Sequence, residues 1–138
     1  MRAVLDPNVI ISAALSPNGP PAAVLVAWLD GQFEMVASQK LLDELDRSLA
    51  YPKLRKRIPE VDAAALMRLI ERGAVIRDDV ESPPQVSLHS GDDYLISLAK
   101  ESEAVIVSGD GDLLSLAPNL PVFAPAAFLD WLNGQRKA

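Results

Sequence analysis

The sequence predicts a three-layer α/β fold, with a central, mainly parallel sheet of about five short strands flanked by helices. Three observations carry this expectation. Short apolar runs alternate with longer amphipathic ones in a βαβαβαβαβα pattern, which favours a parallel sheet covered on both faces. Two of the short runs, Ala3-Val4-Leu5 and Ala104-Val105-Ile106-Val107-Ser108, are apolar enough to be buried strands. Both run directly into acids, Asp6-Pro7-Asn8 and Gly109-Asp110-Gly111-Asp112. In an open α/β sheet the carboxyl ends of strands are where ligands bind.

The elements follow in order. Arg2–Leu5 reads as a strand and Asn8–Leu15 as a short helix, with Asn8 a candidate N-cap. Ser16-Pro17-Asn18-Gly19-Pro20-Pro21 is a turn by composition. Ala22–Leu29 is apolar almost throughout and reads as a well-buried helix stopped by Gly31, before a strand at Phe33–Ala37. Ser38 then caps a helix with Leu41, Leu42, Leu45 and Leu49 on one stripe, ended by Tyr51-Pro52. Asp62 is expected to cap a helix to about Glu71, with Leu66, Leu69 and Ile70 inward and Gly73 behind it. Ala74–Ile76 is a short strand, Asp78–His89 a loop marked by Pro83-Pro84, and Asp92–Ser102 a helix. After the strand at Ala104–Ser108 come a helical turn at Leu113–Leu116, a strand at Pro121–Phe123 and a helix at Pro125–Asn133.

Composition narrows the chemistry. A chain of 138 residues, 49% hydrophobic and 23% charged, fits one ordinary domain, expected over 1–138. No apolar run approaches the ~18 residues of a membrane helix, and no signal-peptide pattern opens the chain, so a cytoplasmic protein without membrane association is expected. The absence of cysteine excludes thiolate metal sites, disulfides and a cysteine nucleophile. Ser12 and Ser108 lack the setting of a serine nucleophile, and no Walker or dinucleotide glycine motif is present. His89, the single histidine, reads as a surface loop residue. Net charge is −6, yet residues 51–77 hold seven basic side chains against three acidic ones. Lys53, Arg55, Lys56 and Arg57 are the candidates to guide a nucleic-acid backbone.

What remains is carboxylates at strand ends, a pattern suited to a hard metal ion acting on phosphates. Each acid also has a structural reading. Asp6 is either functional or the cap of the next helix. Asp110 and Asp112 flank Gly111 in a turn, and Asp112 is a candidate cap. Asp92 and Asp93 open a helix, where acids offset the macrodipole. Glu44 and Asp46 flank the leucine stripe on opposite sides, and the pattern does not choose between them.

The motifs taken together resemble a family. Val4-Leu5-Asp6-x-Asn8-Val9-Ile10-Ile11-Ser12-Ala13 is similar to the opening motif of PIN-domain ribonucleases. Leu41-Leu42-x-Glu44-Leu45 followed by Pro52-Lys53-Leu54, Asp92-Asp93-x-x-Ile96-x-Leu98-Ala99, and Val107-Ser108-Gly109-Asp110-x-Asp112-Leu113-Leu114 resemble the next three, in order. Val122-x-x-Pro125-x-x-Phe128-Leu129 resembles the closing segment. The branch resembled is that of the VapC-like toxins of prokaryotic toxin–antitoxin pairs.

The resemblance implies a PIN-like sheet with strands one and four as central neighbours. It implies Asp6, Glu44, Asp93 and Asp110 as the catalytic acids, with Asp6, Asp93, Asp110 and Asp112 holding Mg²⁺ or Mn²⁺. Asn8, Ser108 and Asp92 would support them. It implies an RNA substrate, a cognate antitoxin and a homodimer. The chain departs from the family at Pro7, where threonine is usual, so a hydroxyl and an N–H are lost.

The activity expected is metal-dependent hydrolysis of RNA, leaving a 5′-phosphate and a 3′-hydroxyl. Two unit charges ~5 Å apart repel by roughly 3 kcal/mol at an effective dielectric near 20, so such a cluster calls for a cation or a shared proton. One bound metal would lower the pKa of a water, and a second would stabilise the leaving oxygen. Two alternatives stand beside this reading. One is a metal-dependent phosphatase or phosphotransferase using Asp6, although Asn8 stands where an Asp-x-Asp motif needs its second acid. The other is a catalytically silent PIN-like binding or dimerisation module.

Overall fold

The computed structural model describes residues 1–86 and 90–137; His89 and the end of its loop lie outside them. Five parallel strands form one sheet in the order β3-β2-β1-β4-β5. They are β1 (Arg2–Leu5), β2 (Glu34–Ala37), β3 (Val75–Ile76), β4 (Val105–Val107) and β5 (Val122–Phe123). The two apolar runs are the central pair, in register as Ala3 with Val105, Val4 with Ile106 and Leu5 with Val107. Strand order reverses between β1 and β4, so the switch-point crevice lies where Asp6 and the Gly109–Asp112 loop leave the sheet. The Asp6 amide still donates to the Val107 carbonyl at 2.9 Å, which fixes how the acid enters that crevice.

Helices flank the sheet. They are α1 (Pro7–Leu15), α2 (Pro20–Leu29), α3 (Gln39–Leu49), α4 (Pro52–Arg55), α5 (Glu60–Gly73), α6 (Asp93–Glu101), α7 (Gly111–Leu114) and α8 (Pro125–Lys137). A 3₁₀ turn at Ser90–Asp92 leads into α6. The α3 stripe packs as its pattern dictates: Leu41, Leu42, Leu45 and Leu49 are all buried, and the Ser38 hydroxyl accepts the Leu41 amide at 3.3 Å. Among the described residues no single helix is long and apolar enough to cross a membrane.

Several local expectations are corrected. Asp6, not Asn8, caps α1, and the helix begins one residue earlier at Pro7. Proline suits that first position, where its missing N–H would have had no intrahelical partner. The fold therefore absorbs one of Pro7's two losses. Helix α2 is not buried throughout: only Val24, Ala27 and Trp28 are, while Val26 and Leu29 are about half exposed. A helix apolar on every side carries no stripe to say which face goes inward, so packing against α1 and α8 decides it. Helix α5 starts at Glu60 after Pro59, placing Asp62 in the first turn rather than at the cap. Its buried stripe is Ala63, Met67 and Ile70; Leu69 is exposed and Leu66 half-buried. The basic stretch after Tyr51 contains a short helix, α4, and Asp110 rather than Asp112 caps α7.

Gly73 is the last residue of α5 and packs so closely on a neighbour that a side chain would not fit there. A Cβ at this position would lie 2.7 Å from Cζ2 of the buried Trp28. Gly73→Val should lower the unfolding free energy by about 2–3 kcal/mol, the usual cost of overpacking a rigid neighbour. Gly73→Ala should cost less, because its helix propensity recovers about 1 kcal/mol. Urea unfolding midpoints check both; an unchanged midpoint for the valine variant would show that Trp28 can yield.

Candidate active site

Asp6 is a buried acid, 5% exposed, at the end of β1. Its Oδ1 accepts the Asn8 amide at 3.0 Å, the capping bond of α1. Its Oδ2 accepts the Ser108 hydroxyl at 2.8 Å. Ser108 is fully buried at the end of β4, and its Oγ in turn accepts the Asp110 amide at 3.0 Å. One hydroxyl thus bridges the two central strands and sets the position of Asp110 relative to Asp6. The Asp110 carboxylate accepts the Asp112 amide at 3.2 Å as it caps α7. Asn8 therefore supports Asp6 through its backbone; its side chain is exposed and faces away into a groove.

Glu44 approaches from α3. It is half-buried, whereas Asp46 on the opposite flank of the stripe is exposed. The Tyr94 hydroxyl donates to Glu44 Oε2, joining α3 to the first turn of α6. Tyr94 is buried, and the Lys40 ammonium lies 4.9 Å above its ring centroid. Sequence reasoning missed Tyr94. Its only signal was an amphipathic ring placed directly after the Asp92-Asp93 pair at the head of an apolar helix. Asp79 was missed too: its Oδ2 accepts the Lys40 amide at 2.9 Å, satisfying a free N–H at the start of α3.

Asp93 is buried at the first position of α6 and accepts the Val86 amide at 3.0 Å. Asp92 is half-buried at the N-cap position. Asp112 is half-buried in the first turn of α7. Lys53, Lys56 and Arg57 are exposed and Arg55 half-buried, on α4 and the turn after it, beyond the C-terminal end of α3.

The electrostatics of the cluster follow from burial. Desolvation raises the Asp6 carboxyl above its ordinary 3.8. The Asn8 amide and Ser108 hydroxyl pull it down, while the charges of Glu44 and Asp110 push it further up. Tyr94 is raised well above the usual phenol range, first by burial, then by its bond to Glu44 and by the charges of Glu44, Asp6 and Asp79. The phenol is therefore protonated at neutral pH and stands as a donor to Glu44.

The donor set fits a hard cation in chemistry: carboxylates with no cysteine. Among the described residues no three His, Cys, Asp or Glu side chains are arranged to enclose a metal ion between them. Mg²⁺ does not need such a cage, because it commonly takes one or two carboxylates and keeps several waters. Asp6 has accepted one hydrogen bond at each oxygen, which leaves a lone pair free on each. Asp110 is placed beside it by Ser108, and the mutual repulsion of Asp6, Glu44 and Asp110 would be relieved by a cation.

Two grooves open beside these acids. One, of about 380 Å³, is lined by Asn8, Ser12, Pro21, Gly109, Asp110 and Pro125. The other, of about 460 Å³, includes Lys40, Asp43, Glu44, Arg47 and Asp79.

This combination of parallel sheet, switch-point aspartates and flanking helices is that of a recognised fold. A PIN-domain family model matches residues 2–112, and the chain belongs to the PIN-domain family. PIN domains are generally nucleases and generally use divalent metal ions. The chain is 29% identical over 116 residues to an uncharacterised protein of Methanocaldococcus jannaschii, covering 84% of this chain and 75% of that protein. Its fold resembles a chain of VapBC2 from Rickettsia felis, solved bound to a DNA fragment from their promoter, with a TM-score of 0.62 at 14% identity over 90% of this chain and 98% of that one. It also resembles PAE2754 from Pyrobaculum aerophilum, with a TM-score of 0.65 at 15% identity, covering 97% of this chain and 90% of the other. A PilT N-terminus domain protein of Sulfolobus solfataricus gives a TM-score of 0.56 at 17% identity, over 96% and 93%.

Proposed function

We propose that this protein is a metal-dependent endoribonuclease, acting as the toxin of a toxin–antitoxin pair. The observation that carries the reading is Asp6: a buried carboxylate at the β1/β4 switch point, with two other acids close enough to raise its pKa. A buried carboxylate perturbed by desolvation and by neighbouring acids in a crevice is the kind of group that functional sites carry. The family supplies the reaction class, and the fold likeness to a chain of a VapBC complex supports an antitoxin partner. We further propose that residues 1–138 work as one domain, as a cytoplasmic homodimer.

In this reading Asp6 and Asp110 would hold Mg²⁺ or Mn²⁺, Asp93 and Asp112 would reach the ion through its waters, and Glu44 would face the reacting phosphate. Ser108 fixes the relative placement of Asp6 and Asp110. Tyr94 fixes Glu44, and Asn8 holds Asp6 through its amide. Asp92 supports Asp93 from the cap position. When bound, the cation supplies an acidified water and charge neutralisation at the phosphodiester. The acids supply no strong base of their own, so they orient the reactants rather than take the first proton. A phosphatase in which Asp6 attacks phosphorus fits less well, because both Asp6 oxygens are held by donors in a site only 5% exposed.

The substrate class is tested by incubating the protein with single-stranded RNA, single-stranded DNA and a phosphomonoester in Mg²⁺ or Mn²⁺. The proposal expects internal cuts in RNA with 5′-phosphate and 3′-hydroxyl ends. Turnover of the monoester alone would favour the phosphatase, and no turnover of any substrate the binding module.

The cations that guide the backbone can be ranked by position. Lys40 and Arg47 share a groove with Glu44, whereas Lys53, Arg55, Lys56 and Arg57 lie past the end of α3. Lys40→Glu should raise the KM for RNA roughly tenfold and flatten its salt dependence; Lys56→Glu should do less. Equal effects of the two variants would put the basic stretch on the substrate path as well.

A further inference from the structure

The groove of about 380 Å³ beside Asp110 has a composition unlike the one beside Glu44. Among the described residues that line it, Asp110 is the single charged one and none is a cation. The other described residues of its lining are Asn8, Val9, Ser12, Pro21, Gly109 and Pro125. Asn8 and Ser12 are four residues apart on α1, so both stand on one face of the helix. Both are exposed to the groove, and Asn8's role at Asp6 uses only its backbone amide. Pro21 is the second residue of α2 and Pro125 opens α8, so two rigid apolar rings come from different elements.

The described lining of this groove offers a phosphate no cationic side chain, whereas the other groove carries Lys40 and Arg47 beside the acids Asp43, Glu44 and Asp79. A flat, uncharged heterocycle meets the opposite situation. Proline rings offer it apolar walls, and a carboxamide with a hydroxyl one turn away offers both a donor and an acceptor to its edge. The volume is at the low end for a small-ligand site and suits one base with its ribose. Asp110 lines this groove and also belongs to the acid cluster, so a base seated here belongs to a nucleotide next to the phosphate being cut.

We propose that this groove is a nucleobase pocket, in which Asn8 and Ser12 read one unpaired base of the RNA immediately beside the cleavage point. The inference rests on the ribonuclease reading and names its sequence-determining residues. The strand would cross the acids with this base in the groove beside Asp110 and its neighbouring phosphates toward Lys40 and Arg47.

The test is cleavage of a random-sequence RNA pool in Mn²⁺, with the cut ends sequenced, for wild type, Asn8→Ala and Ser12→Ala. The expected wild-type result is a base preference at a single position adjoining the cut. Asn8→Ala should flatten it about tenfold, as loss of one two-bonded base contact does, and Ser12→Ala by less. Cutting without a preference, or a preference that both variants keep, would overturn the pocket and leave the ribonuclease reading intact. If no RNA is cut, the ribonuclease reading fails, and titration of ¹⁵N-labelled protein with each of the four nucleoside 5′-monophosphates decides the pocket separately. Base-dependent shifts at Asn8 and Ser12 that the variants lose would support it. Shifts identical for all four and for inorganic phosphate would overturn it.

Discussion

Asp6→Asn should abolish RNA cleavage, by roughly a thousandfold or more, and should also make the metal-free protein more stable. The two effects have one cause. Burial and the charges of Glu44 and Asp110 raise the Asp6 carboxyl above 3.8, so the folded state keeps a proton that the unfolded chain has already lost. The stability contributed by protonated Asp6 is therefore present in full below 3.8 and is lost as pH rises through the raised value. Above that value the ionised carboxylate is a cost the fold carries. Asparagine removes it and keeps the geometry: its carbonyl can accept the Asn8 amide, and its amide can donate to the Ser108 oxygen. Thermal unfolding at neutral pH without metal should show the variant melting a few degrees higher. Added Mg²⁺ should raise the melting temperature of wild type more than that of Asp6→Asn. A variant that melts lower without metal would mean that the two hydrogen bonds to the carboxylate outweigh its desolvation.

Tyr94→Phe is the second substitution with a large expected effect. The ring is buried and would keep its packing, so the fold should tolerate the change. What is lost is the bond that joins Glu44 on α3 to the head of α6. Residues that hold metal-site side chains in place typically cost 10–100-fold in metal affinity or activity when removed, and a loss in that range is expected here. The loss should appear in kcat rather than in KM for RNA, because the phenol faces an acid and not a phosphate. The variant should also need a higher Mn²⁺ concentration for half-maximal rate. Unchanged kcat and unchanged metal dependence would make the Tyr94–Glu44 bond a packing feature.

The sheet was legible in the sequence because its strongest signals are those of burial on two faces. Val4-Leu5 and Val105-Ile106-Val107 are the central pair, short apolar runs that are each followed by an acid-bearing turn. The α3 stripe was legible because four leucines against polar neighbours define one face. Helix α2 was not, because a segment apolar on every side has no phase to read. The caps were not legible, Asn8 and Asp112 being candidates where Asp6 and Asp110 cap, because at each strand end two side chains able to cap stand two residues apart. The choice depends on the angle at which the chain leaves the sheet, and that angle is set by the partner strand. The same ambiguity left Glu44 and Asp46 unresolved; in the fold Glu44 meets Tyr94, and Asp46 meets solvent. Tyr94 and Asp79 were invisible because their roles lie in contacts across elements, with Glu44 50 residues from Tyr94 and Lys40 39 residues from Asp79.

The central claim is that a metal-dependent phosphodiester cut is made at the acids around Asp6. The most direct measurement is single-turnover cleavage of an end-labelled, single-stranded RNA, with wild type, Asp6→Asn and Asp93→Asn each assayed in Mg²⁺, in Mn²⁺ and in excess chelator. The expected result is cutting by wild type in at least one metal, none in chelator, and none by either variant in any condition, with all three proteins folded by circular dichroism. Cutting that persists in chelator, or that survives in Asp6→Asn with metal present, would contradict it.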